Sequence, residues 1–229
     1  MKMKKLVSIL ALALLAVCLF AQVGPDATKE DQSQKENSDV KNIQLAYSLV
    51  DYGYENGSAS ALLEAADILS QIPTQKGEFE SEPKGEKGED STAEVRDYSP
   101  KKILEDARKF AGKDKNLLAW ANKIEKALNS IARGATGGPL WHSSVAYGNG
   151  GVIYHIYFDG GRLAEVFVTS LDGSDFDMYI YDSRGNLLCY DERYNRDAYG
   201  FWYPRYTDRY TIQIVNRSRY NSAYIMYTN

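Results

Sequence analysis

The chain has 229 residues, of which 44% are hydrophobic, and its 27 basic and 31 acidic residues give a net charge of −4. A negative balance argues against generic nucleic-acid binding, which needs a positive field to release phosphate counterions. Two cysteines are too few for a disulfide-stapled scaffold, so the fold must rest on core burial.

The first segment is a cleavable export signal. Met1 to Lys5 is cationic, Leu6 to Phe20 is uncharged, and Ala21 supplies the small residue that precedes cleavage. The apolar run falls short of the roughly 20 residues that span a bilayer as a helix. No second such run follows, so no stable membrane span is expected. A lipid anchor on Cys18 is disfavoured because Val17 is bulky where lipoprotein signals carry a small residue. Cleavage after Ala21 removes three basic and no acidic residues, which leaves 24 against 31 and Cys189 as the remaining cysteine. Localisation is therefore expected to be extracytoplasmic, periplasmic or secreted.

Residues 22–38 are polar and read as a disordered leader. A helical domain is expected over 39–132. Val40, Ile43, Tyr47 and Val50 recur at helical spacing, Asn56-Gly57 breaks the run, and Ser58 or Ser60 caps a second helix that Pro73 ends. Residues 74–98 are rich in Lys, Glu and Gly and read as a mobile loop, since such a run buries too little surface to offset its ordering entropy. Ser99-Pro100 opens a third helix with a hydroxyl cap and a proline in the first turn; Ala111-Gly112 interrupts it, and Leu117 to Leu128 builds a fourth. The paired helices resemble a tetratricopeptide unit, although the 34-residue period does not repeat. A Gly-rich joint follows at 133–140, without the Lys-Ser/Thr ending of a phosphate-binding loop.

From 141 to 229 the composition changes. All eight basic residues here are arginine, and 14 of the 18 tyrosines lie here. Alternating apolar residues predict strands at about 142–147, 152–158, 162–170, 176–182, 186–190, 198–203, 208–215 and 220–228. The fold class is thus multi-domain α plus β: helical hairpins followed by an all-β, jelly-roll-like sandwich.

Within this region Asp175-Phe-Asp-Met-Tyr-Ile-Tyr-Asp182, followed by Gly185-Asn186-Leu187, resembles the bacterial pre-peptidase C-terminal domain. Asp208 to Asn216 matches that family's closing strand, with Asp208 where glycine is usual. The resemblance spans 141–229 and implies a non-catalytic β-sandwich module on an exported protein, in some members one that binds calcium or an extracellular polymer.

Alternation in Phe176–Tyr181 sends Phe176, Met178 and Ile180 inward and Asp177, Tyr179 and Tyr181 outward. Asp172, Asp175 and Asp177 are candidate calcium ligands by their crowding; Asp-Gly-Ser-Asp is equally an ordinary turn. No zinc spacing, nucleophile elbow or paired-histidine motif occurs, and Cys189 sits in an apolar run, so no catalytic residue is assigned. Candidate ligand-binding residues are the rigid aromatics and arginines Tyr194, Arg196, Tyr199, Trp202, Tyr203 and Arg205, for an extracytoplasmic protein or a polysaccharide. The expected function is an exported, non-enzymatic binding or interaction protein. The alternative is a hydrolase using carboxylates among Asp175, Asp177, Asp191 and Glu192.

The export reading has a direct check. Protein recovered outside the cytoplasm should begin at Gln22 by N-terminal mass analysis and carry no lipid; a diacylated Cys18 would replace this reading with membrane anchoring.

Overall fold

The computed structural model describes residues 38–131 and 137–229. The segment expected to be an export signal, the expected leader up to residue 37 and residues 133–136 of the Gly-rich joint lie outside the described residues. Four helices come first: α1 (Asp39–Asn56), α2 (Ala59–Leu69), α3 (Pro100–Ala111) and α4 (Lys115–Ile131). Their starts follow local chemistry. The hydroxyls of Ser38, Ser58 and Ser99 accept from Lys41 N, Ala61 N and Lys102 N, and Asp114 accepts from Asn116 N and Leu117 N, so each helix has a satisfied first turn. Gly57 closes α1 in the left-handed conformation that a side chain would strain, at φ 62°. No described helix is long and apolar enough to cross a membrane.

The eight strands expected after residue 140 are β3 (Leu140–Ala146), β4 (Gly151–Phe158), β5 (Ala164–Ser170), β6 (Phe176–Tyr181), β7 (Leu187–Asp191), β8 (Asp197–Trp202), β9 (Asp208–Asn216) and β10 (Ser222–Thr228). They form two sheets with two further strands, β1 (Gln75–Lys76) and β2 (Glu80–Lys84). The first sheet runs β1-β3-β10-β5-β8 and the second β2-β4-β9-β6-β7. Every pairing is antiparallel except β1 with β3.

Inward residues of the two sheets close one core, including Tyr154, Ile156, Met178, Ile180 and Ile214 from the second sheet and Val166, Val168, Trp202 and Met226 from the first. The hydroxyls of Tyr154 and Tyr224 hydrogen-bond to each other inside it, so neither buried phenol is left unpaired. Gly200 is the close-approach point. A Cβ there would lie 2.9 Å from Ile180 Cδ1 and 3.1 Å from Cys189 Sγ, so glycine lets β8 approach β6 and β7 without displacing those side-chain ends.

The helices cover the outer face of the first sheet. Phe167 projects from β5 away from the sandwich core into a second core formed by α1, α2, α3 and α4, where Tyr47 meets it edge-on at 5.7 Å and Tyr227 lies parallel at 6.3 Å. The Tyr47 and Tyr227 hydroxyls pair at 2.9 Å. All seven residues of β5 are buried, as expected of a strand with packed layers on both sides.

The loop expected over 74–98 is instead a strap with two strands in it. β1 extends one sheet and β2 extends the other, each at an edge. Edge pairing uses backbone groups and needs no apolar side chains. The five residues of β2 are all exposed, and Pro83 is tolerated there because an edge strand leaves one side of its backbone unpaired. Beyond β2, Asn221 pins the strap. Its side chain accepts from Gly88 N (3.2 Å) and Gly148 N (3.3 Å) and donates to Gly88 O (2.7 Å) and Asp90 (2.9 Å). Its backbone bonds Glu89 O and Ser91 N. Arg96 N then donates to Leu171 O, and the Tyr98 side chain is buried.

Asn221→Ala removes four side-chain hydrogen bonds, each worth roughly 0.5–1.5 kcal/mol. The variant should lose about 2 kcal/mol of stability in denaturant titration, and limited proteolysis should cut it first within 85–97. A digestion pattern identical to wild type would show that the strap is held by other contacts.

Candidate binding face

The outer face of the second sheet contributes nothing to the helical core, and its side chains can be placed from register alone, because residues directly paired across strands project to the same side. One row reads Tyr190, Tyr179, Gln213, Ile153 and Glu82 from β7 to β2. The next holds Tyr181, Thr211, His155 and Glu80. A third places Asp177, Val215, Gly151 and Lys84 in line. Five strands about 4.8 Å apart make a face about 19 Å across.

The aromatic end of this face is ordered by stacking and hydrogen bonds. The Tyr179 and Tyr190 rings lie 6.4 Å apart and within 17° of parallel. The Tyr179 hydroxyl donates to Glu192 and accepts from Arg217 Nη2 at 3.0 Å. Arg217 Nε donates to Asp177 at 2.5 Å. Burial raises the Asp177 carboxyl above its ordinary range, against the pull of Arg217, and burial together with Glu192 pushes the Tyr179 phenol to about 12. In the middle, Thr211 Oγ1 and His155 Nδ1 share a hydrogen bond at 3.2 Å. Arg209 pairs with Glu80 at 3.0 Å. The ring of Tyr157, 72% exposed, follows His155 on the same side of β4 and lines a shallow cavity of about 290 Å³ with Asp159 and Arg162.

The six aromatic and arginine residues singled out from the sequence do not share a surface. Tyr194 is 95% exposed between β7 and β8. Arg196 is drawn into the helix–sheet junction, where it pairs with Asp51 at 2.6 Å, lies 4.7 Å from the centre of the Tyr98 ring and donates to Ser170 O at 3.2 Å. Tyr199 faces α1, with its hydroxyl donating to Glu165 at 2.5 Å and the Lys41 ammonium 5.4 Å above its ring. Trp202 points the opposite way, into the sandwich, against Phe158 at 4.6 Å and Tyr210 at 5.2 Å. Tyr203 follows β8 half-buried, and Arg205 lies exposed over the Tyr206 ring. The physical reason is strand alternation: a dense aromatic run on a strand is divided between its two faces.

Of the carboxylates, Asp177 and Glu192 meet at the Tyr179 hydroxyl, and each of the others has its own partners. Asp172 accepts from Ser174 N and the Ser222 hydroxyl, Asp175 from Asn195 N, and Asp177 from Arg217. Asp191 pairs with Arg193 at 2.5 Å and accepts from Tyr199 N. Asp182 receives Arg184 N and Asn186 N across the turn, and those bonds with Asn186 hold it below the ordinary carboxylate range although burial opposes them. Among the described residues no three His, Cys, Asp or Glu side chains stand close enough to share a metal ion. Cys189 faces the sandwich core, where burial pushes its thiol to about 12, while His155 lies on the outer face, so the two form no dyad.

No family model and no curated protein matches the chain. Among solved structures, the pre-peptidase C-terminal domain of a collagenase from Bacillus anthracis is similar at 8% identity and TM-score 0.32, over 40% of this chain and 87% of that one. The Yersinia pseudotuberculosis-derived mitogen is similar at 17% identity and TM-score 0.29, over 41% and 86%. An endo-1,4-β-D-xylanase of Clostridium thermocellum, its CBM22-1–GH10 modules complexed with xylohexaose, is similar at 12% identity and TM-score 0.23, over 38% and 24%.

The partners already held by Asp172, Asp175 and Asp177 set the expectation for calcium. Thermal melting of the protein should be the same with calcium and with chelator. A midpoint raised by calcium in the wild type, and not in Asp175→Asn/Asp177→Asn, would show instead that the ion displaces Arg217 and stabilises the sandwich by linkage, by about 2.7 kcal/mol at a hundredfold excess over Kd.

Proposed function

We propose that the protein is an exported, non-enzymatic binding protein whose second sheet engages a neutral extracellular polysaccharide across the face built by Tyr190, Tyr179, Gln213, Thr211 and His155. The observation that carries this reading is the parallel Tyr179–Tyr190 pair continuing, strand by strand, into a row of amide, hydroxyl and imidazole groups. Flat aromatic rings offer an apolar face to the C–H side of a sugar, while neighbouring donors and acceptors meet its hydroxyls. Charge supports a neutral ligand. Glu80, Glu82, Asp177 and Glu192 stand against Lys84, Arg209 and Arg217, and an anionic polymer would meet the carboxylates.

Sedimentation with insoluble neutral polysaccharides and affinity electrophoresis in soluble ones should reveal binding. Tyr179→Ala and Tyr190→Ala should each weaken it about tenfold, equivalent to about 1.4 kcal/mol. Tyr194→Ala, outside the face, should leave it unchanged. Binding that survives loss of both face tyrosines would remove the assignment, and polysaccharide turnover abolished by Asp177→Asn would replace binding with hydrolysis.

A further inference from the structure

The helical layer carries a charge pattern that the binding face does not use. Residues 100–131 hold eight basic residues against four acidic ones, whereas the remainder of the chain holds 19 against 27. The acids of this helix pair are largely spent internally. Asp106 is neutralised by Lys102 at 2.5 Å and Lys109 at 2.6 Å, Glu125 pairs with Arg108 at 2.9 Å, and Asp114 caps α4. Lys101, Lys113, Lys115, Lys123 and Lys126 are left exposed, with no ion pair to any described residue.

Their placement is regular. At 100° per residue, Lys115, Lys123 and Lys126 fall within one sector of α4 about 80° wide and about 16 Å long. Between them only Ala119, a short side chain, falls in that sector. In the last turn of α3, Phe110 is 44% exposed with Tyr54 edge-on to it at 6.2 Å, and Lys109, Lys113 and Lys115 flank it in sequence. A half-exposed phenylalanine in a lysine-rich segment is poorly matched to a hydrated polyanion. It is well matched to a lipid interface, where the ring enters the headgroup–acyl boundary and the ammonium groups meet phosphate.

We infer that the α3–α4 hairpin docks on an anionic bilayer surface, with Lys115, Lys123 and Lys126 as its electrostatic contact and Phe110 as its apolar one. This contact is independent of the polysaccharide face. α3 and α4 pack on α2, and α1 on β5 of the first sheet, so the lysines lie on the side of the molecule remote from Tyr179 and Tyr190.

The test uses the exported chain freed of residues 1–21, whose apolar run would itself bind lipid. It should sediment with phosphatidylcholine vesicles containing phosphatidylglycerol, not with phosphatidylcholine alone, and raised salt should release it. Lys115→Glu/Lys123→Glu/Lys126→Glu should weaken binding by about a hundredfold or more, with helical circular dichroism unchanged. Phe110→Ser should weaken it by about tenfold. Lys76→Glu/Lys87→Glu/Arg205→Glu, the same charge change on exposed positions outside the hairpin, should bind as wild type. The inference is overturned by absence of sedimentation with phosphatidylglycerol vesicles at low salt, by equal loss in the two triple variants, or by retention of soluble polyphosphate without vesicle binding.

Discussion

Phe167 is packed from above by Tyr47 and from the side by Tyr227, and the strand that bears it has no exposed residue. Burying side chains of this size contributes about 1.5–3 kcal/mol each, a large part of the net stability of a small domain. That packing fixes where the helices sit, and two polar ties fix their angle. At one end of α1 the hydroxyl of its cap, Ser38, donates to Glu165 on β5; toward the other, Asp51 receives Arg196 from the strand connection before β8. Each tie is one of several on its acid, for Glu165 also accepts from the Tyr199 hydroxyl and Asp51 also holds Arg96 and the Tyr98 hydroxyl, so the two junctions are small networks rather than single pairs. The arginine expected to recognise a ligand thus recognises the protein's own first helix.

The layered arrangement gives the molecule two sides with different chemistry. The second sheet presents an aromatic and amide surface with nearly balanced charge, and the helices present lysine. Between them the first sheet is buried on both faces along β5 and insulates one from the other. A strap of acidic composition crosses both sheet edges and so lies between the two sides.

Much of this order was readable in the residues. Helix starts at Ser58 and Ser99, the stop at Gly57, eight strands after residue 140 and the outward set Asp177, Tyr179 and Tyr181 all follow from capping and periodicity, which are local. What escaped was decided by partners far away in sequence. β1 and β2 have no apolar pattern because their pairing is backbone to backbone at an edge. Gln213, Thr211 and Ile153 join the tyrosines only through register across β4, β9 and β6, which alternation within one strand does not reveal. The misplacement of Arg196, Tyr199 and Trp202 has the same origin. Density of binding-type residues was visible, but the faces to which alternation assigned them, and the helix waiting over one of those faces, were not.

The partner of Tyr47 is Tyr227, 180 residues further along, and that of Ser38 is Glu165, 127 residues away. Cores closed by contacts so distant in sequence form slowly, since a long loop must close before any of its contacts is rewarded. A ribosome making this chain releases α1 first, yet the surface on which α1 rests is complete only when the final strand has emerged. Until then the amphipathic helices have no platform and the first sheet lacks β10, its central strand. The chain order thereby defers closure of both cores until β10 has been made.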